Sequence, residues 1–187
     1  MTSVVEICNA ALLKLGEPAI LSLSEERKAA QLCRQRYAGA RDAVLRDHPW
    51  NCAGARASLA ALSEAPAWGY ARQYAWPTNC VRINAVEGQE GGDWVSEGRR
   101  VLTDLGPPIH IQYNRRVEDP NDFDALFAEA LASFLAWQLA ESLTQSNSRR
   151  DAALKDYSEA KRRAALADAQ EGVAAVLPED SWLEARI

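Results

Sequence analysis

The sequence predicts a mainly α-helical fold: a bundle of about four helices, a small antiparallel β-sheet lobe inserted midway, and an extended C-terminal arm. Two observations carry this prediction. Apolar residues recur at three- and four-residue intervals over residues 4–47 and 123–166, as in helices that bury one face. Between these stretches, from Trp50 to about Val117, the period shortens and Gly, Pro and Trp concentrate, as in short strands joined by turns. At 187 residues and 48 % hydrophobic, the chain is long enough to bury a core without disulfides or metals.

Residues 1–50 read as a helical hairpin. Thr2 or Ser3 is placed to cap a helix running to about Leu15, with Val4, Ile7, Cys8, Ala11, Leu12 and Leu15 on its buried stripe. Gly16 stops this helix and Pro18 keeps it from resuming, leaving a Leu-x-Leu loop at Leu21 and Leu23. Ser24 before Glu25-Glu26 predicts the capped start of a second helix, which runs to about Asp47. Ala29, Leu32, Cys33, Tyr37, Ala40, Val44 and Leu45 form its stripe, and Pro49 ends it.

Residues 51–118 read as the inserted lobe. Trp68–Tyr74 alternates large and small side chains like a strand. Cys80–Val86 alternates more clearly, with Val81, Ile83 and Ala85 on one face. Gly88 to Gly92 is a turn-rich loop, and Trp94–Ser96 and Arg100–Thr103 are two strands around the Glu97-Gly98 turn. Ile109–Tyr113 follows Gly106-Pro107-Pro108 as a last strand, completing one small sheet.

Residues 119–172 supply two long helices. Asp119 or Asn121 is the expected N-cap of the first, with Pro120 in its first turn. Its apolar stripe, from Phe123 through Phe134, Trp137 and Leu139, is wide enough to be buried on several sides, so this helix is expected at the centre with Trp137 in the core. The next helix, from about Ser148 to Glu171, has dense mixed charge and a thin alanine-rich face that permits close helix approach. Gly172 ends it, and residues 173–187 form an arm. That arm carries Val176, Leu177, Trp182, Leu183 and Ile187, an apolar load that is expected to dock, either on a neighbour or partner or on the chain's own domain.

No catalytic constellation, cofactor motif or metal set is found, so the chain is expected not to be an enzyme. There is no phosphate-binding glycine loop and no G-x-S-x-G. His48 follows Asp47, but adjacent helical residues point apart, and His110 lies on the sheet face opposite Ile109 and Ile111. Asp119, Asp122 and Asp124 resemble half a metal site, yet helix N-termini favour acids on electrostatic grounds alone. Cys8, Cys33, Cys52 and Cys80 include no C-x-x-C pair and read as reduced, partly buried thiols of a cytosolic protein. The net charge of −5 argues against a DNA-wrapping surface. No apolar run reaches the ~20 residues of a membrane span, and Glu6 and Asn9 interrupt the N-terminus, so no membrane partner and no leader are expected. Arg149, Arg150, Lys161, Arg162 and Arg163 could meet phosphates, but the interleaved acids favour a solvated or intersubunit face.

The order of the first fifty residues is distinctive: a helix, Leu15-Gly16-Glu17-Pro18, the Leu21/Leu23 loop, and a basic, alanine-rich helix closed by His48-Pro49-Trp50. With Tyr74-Ala75-Trp76-Pro77-Thr78-Asn79-Cys80-Val81-Arg82-Ile83 opening the sheet and Asp119-Pro120 opening the late helices, the chain resembles, over nearly its whole length, the head-to-tail adaptor proteins of tailed phages, the family of tail tubular protein A. These motifs are spacings of common residues, not catalytic signatures. The resemblance implies a structural protein of the virion head–tail junction, assembled in the host bacterial cytoplasm. It implies a homo-oligomeric ring, commonly dodecameric, beneath the portal protein. Such a ring extends the DNA channel without binding DNA specifically and carries the tail or next connector. By the same analogy the arm of Val176, Leu177, Trp182, Leu183 and Ile187 reaches the portal and orders on docking, so the free protein can be monomeric. The helical core, with Arg149, Arg150, Lys161, Arg162 and Arg163 as candidates, forms subunit contacts. The alternative class is a cytosolic helical regulator or nucleic-acid-binding module using Arg149, Arg150, Arg162 and Arg163.

Overall fold

The computed structural model describes residues 2–89 and 92–171. It has four long helices, α1 (Val4–Lys14), α2 (Lys28–Asp47), α3 (Ala125–Thr144) and α4 (Asn147–Glu171). Between α2 and α3 lie six strands: β1 (Gly54–Leu59), β2 (Arg72–Ala75), β3 (Cys80–Val86), β4 (Trp94–Glu97), β5 (Arg100–Thr103) and β6 (Ile109–Arg115). The mainly α fold with an inserted β lobe is therefore observed. The arm lies outside the described residues.

Ser3 closes a capping box on α1: its hydroxyl accepts the Glu6 N–H while the Glu6 carboxylate accepts the Ser3 N–H. Leu15 follows as the C-cap and Gly16 takes a left-handed φ of 74°. α2 begins later than expected, at Lys28, and Ser24 does not cap it. The Ser24 hydroxyl is paired with that of Ser22, and the Glu25 carboxylate turns back to accept the Leu21 and Ser22 N–H groups. Local side-chain bonding wins over helix there. Asp119 caps only a short 3-10 turn, Pro120–Asp122, while Asp124 caps α3 by accepting the Leu126 and Phe127 N–H groups.

α3 is central. It packs against α1, α2 and α4, and its Phe127, Ala130, Leu131, Leu135, Leu139 and Ala140 are buried in one helical core. Small residues set the close approach of its partners: Ala11 on α1, Ala30 and Ala40 on α2, Ala160 and Ala164 on α4 are all buried. Trp137 is only half-buried, packed at the margin of that core rather than inside it.

The lobe is two three-stranded antiparallel sheets, ordered β1-β6-β3 and β2-β5-β4, instead of one. The strand at 54–59 is not among those expected, and the strand expected over 68–74 is confined to Arg72–Ala75. Irregularities in the β3–β6 pairing, between Cys80 and Arg82 and between Ile83 and Ala85, overturn the simple alternation. Val81 joins the helical core, whereas Cys80, Ile83 and Val86 join the lobe core with Tyr74, Val101, Ile109, Ile111 and Tyr113.

The two cores meet at the C-terminal end of α2. The carbonyls of the last turn of a helix lack intrahelical donors, and here Trp50 and the lobe supply them. Trp50 Nε1 donates to the Val44 carbonyl at 2.7 Å. Asn114 of β6, fully buried, donates through Nδ2 to the carbonyls of Leu45 at 2.7 Å and His48 at 2.6 Å. Arg82 of β3 reaches those of Arg46 and Asp47 at 3.1 and 3.3 Å. Asn84 Nδ2 donates in turn to Asn114 Oδ1 at 2.7 Å, fixing the amide. In return Arg46 donates to the Val81 carbonyl at 2.6 Å. Replacing Asn114 by Ala leaves two carbonyls without that donor and should cost about 2–3 kcal/mol of unfolding free energy, read as a lower urea midpoint at unchanged slope.

Candidate assembly surfaces

α4 is positioned by its polar side chains as much as by its thin apolar face. Near its start, Arg149 donates to the Leu15 carbonyl at 2.9 Å, capping α1 from outside, and Arg150 lies 3.5 Å from Glu141. Midway, Asp47 at the end of α2 accepts from Tyr157 and Lys161, both at 2.7 Å. Near its end, Asp168 takes the Asn51 backbone N–H at 2.9 Å on its carboxylate and the Asn51 amide at 2.8 Å on its carbonyl. His48 stands 3.4 Å from the same carboxylate and meets Trp50 edge-on. These bonds fix the point at which the chain leaves α4, beside the junction of bundle and lobe.

Of the five basic residues singled out in the sequence, Arg149, Arg150 and Lys161 are thus engaged within the chain. Arg162 and Arg163 are exposed and make no ion pair among the described residues. The arm residues Val176, Leu177, Trp182, Leu183 and Ile187 lie outside the described residues. The groups weighed as chemistry have structural partners. His110 is exposed and pairs with Glu87 at 2.7 Å. Asp119 and Asp124 are caps, and Asp122 lies 3.4 Å from Arg115. Cys8 and Cys33 are buried side by side across α1 and α2; the Cys33 hydrogen bond and burial push the Cys8 thiol far above its ordinary range. Burial pushes Cys80 up to about 11. Among the described residues no group of three His, Cys, Asp or Glu side chains could hold a metal ion.

Two exposed apolar surfaces went unassigned in the sequence. In the lobe, Trp68 is 86 % exposed at the rim of a groove of about 740 Å³ shared with Pro66, Tyr70 and Val95. On the bundle, Leu13 and Leu21 are 77 % and 94 % exposed. A signal for Leu13 was available: it falls off the α1 stripe of Ile7, Cys8, Ala11, Leu12 and Leu15. Asn114 had no such signal: it continues the polar register of His110 and Gln112, and is buried because its end of β6 meets α2.

Burial alone would raise the Asp47 pKa, but the Lys161 and Tyr157 hydrogen bonds and the Lys161 and Arg82 charges outweigh it and hold the carboxyl below its ordinary value. Burial and Asp47 push the Tyr157 phenol up. A lowered folded-state carboxyl pKa stabilises above the ordinary carboxylate range, and this stability is lost as pH falls through the folded value. Asp47→Asn should therefore cost about 1 kcal/mol at pH 7, and the difference from the parent chain in urea melts should shrink as pH falls below the ordinary carboxylate range. Comparison with known proteins gives no matching family model and no matching curated sequence.

Proposed function

We propose that this chain is a structural head-to-tail adaptor of a tailed phage or phage-like particle. In this reading it forms a ring, commonly dodecameric, under the portal protein, extends the DNA channel and supports the tail or next connector. The observation that carries it is the order and placement of the elements. A helical hairpin, an inserted β lobe and two long helices make one bonded body, and α4 ends at a point fixed by Asp168 and Asn51. A rigid root is what an apolar docking arm requires, because it removes the cost of orienting the arm at each attachment. Repeated weak contacts around a portal then add by avidity. A net charge of −5 suits a channel wall along which DNA slides, since phosphate contacts would hold it.

The nucleic-acid-binding alternative has less support. Of Arg149, Arg150, Arg162 and Arg163, the first two already serve internal partners.

Light scattering after gel filtration of the chain mixed with the portal protein of the same source tests the proposal. A joint species with many copies per portal ring is expected, and two separate peaks across salt conditions would sink it. Deleting residues 173–187 should leave a chain with an unchanged circular dichroism spectrum that fails to join the portal. Normal attachment of that truncated form would remove the arm from the mechanism.

A further inference from the structure

Each sheet of the lobe has two edges, and among the described residues three of the edge strands are covered or short. Along β3 the pairing is broken by two irregularities, and Arg46 and Arg99 donate from outside to its Val81 and Cys80 carbonyls. β2 is bridged at Tyr74 to Ala61, and the Leu62 N–H donates to the Gln73 carbonyl. β4 spans only four residues. β1 differs: its six residues pair with β6 without a register shift. In an antiparallel pair, alternate residues turn their N–H and C=O groups away from the partner strand. No described backbone group bonds to those of β1. Regular, free of proline and with Arg56 as its only charge, β1 keeps few of the features that blunt an edge.

The core beneath this edge is open as well. Ala55, Ala57 and Leu59 pack against the lobe core yet stay half-buried, while Gly54, Arg56 and Ser58 on the other face are exposed. A further strand beside β1 would cover the first three and pair the outward backbone groups.

The chain brings a segment of its own to this place. Asp168 binds Asn51, and β1 begins three residues after Asn51, at Gly54. α4 ends at Glu171, about one turn past Asp168, so residues 172–187 leave the helix beside the start of β1. Fully extended they reach ~50 Å, against the ~20 Å that β1 spans. They begin Gly172-Val173-Ala174-Ala175-Val176-Leu177-Pro178: five uncharged apolar residues between a helix-stopping glycine and a proline that cannot donate to a ladder.

We propose that residues 173–177 dock along the open edge of β1 as a fourth strand, parallel to it, in the β1-β6-β3 sheet of the same chain. The direction follows from entry at the Gly54 end. Val173, Ala175 and Leu177 face inward beside Ala55, Ala57 and Leu59 and close the lobe core. Pro178 ends the pairing, Glu179 and Asp180 carry the chain back to solvent, and Trp182, Leu183 and Ile187 are left for a partner. The inference concerns the chain alone and does not depend on the adaptor reading.

Amide exchange by mass spectrometry on the full chain, without portal, tests it against the double variant Ala174→Pro/Ala175→Pro, which removes a donor in either register of pairing. The peptide covering β1 should exchange roughly tenfold more slowly in the parent chain. Unchanged α3 and β3 peptides show that the variant folds. A second variant, Val176→p-benzoylphenylalanine, should crosslink on irradiation to residues 54–59 of the same chain, and this result decides alone if the proline variant does not fold. Equal exchange of β1 in parent and folded variant overturns the inference. So do crosslinks from position 176 that miss residues 54–59 or join two chains. Either failure leaves the adaptor reading standing, since that is tested by the joint species with the portal.

Discussion

The last turn of α2 ends against the lobe, where the bonds to the Val44 and Leu45 carbonyls are buried and that from Asn114 to the His48 carbonyl is half-buried. Buried carbonyls without donors cost free energy comparable to lost hydrogen bonds. Five successive carbonyls, from Val44 to His48, accept instead from Trp50, Asn114 and Arg82. All three donors lie beyond the helix, two of them on strands of the inserted lobe. The helix therefore ends properly only when the lobe is folded against it. Asn84, on the same strand as Arg82, fixes the amide that Asn114 presents, so β3 and β6 act on the helix end together.

Other features follow from this junction. Because α2 ends in one fixed place, Asp47 is held where Tyr157 and Lys161 of α4 can reach it. Asn51, three residues past the helix cap, is likewise held where it meets Asp168. The helix with the thinnest apolar face is thereby located by polar contacts at the same corner of the molecule. Two cores that would each be small become one mechanical body. For a protein proposed to pass load between a capsid and a tail, a bonded junction is more useful than a hinge.

The helices were legible in the sequence because their apolar spacing is long and regular. The alanine-rich face of α4 pointed to close packing, and buried Ala160 and Ala164 agree with it. What escaped was governed by partners distant in sequence. β1 has the pattern Gly-Ala-Arg-Ala-Ser-Leu, with little intrinsic strand preference, and exists because β6 pairs with all six of its residues. The displaced start of α2 was a local exception, set by Glu25 bonding backward to Leu21 and Ser22. Arg149 and Lys161 read as surface charge until the fold brought Leu15 and Asp47 beside them. Leu21 shows the reverse: the sequence marked the loop, but the bonds from Asn9 to Ile20 and from Arg27 to Ala19 that hold it are tertiary.

The account stands on bundle and lobe behaving as one cooperative unit through the end of α2. Native-state hydrogen exchange by mass spectrometry, followed across low urea concentrations, measures this directly. Peptides covering the last turns of α2 and those covering β3 and β6 should open with the same free energy and the same urea dependence. If β3 and β6 exchange through an opening that leaves the end of α2 protected, the junction does not couple the two cores and the account fails.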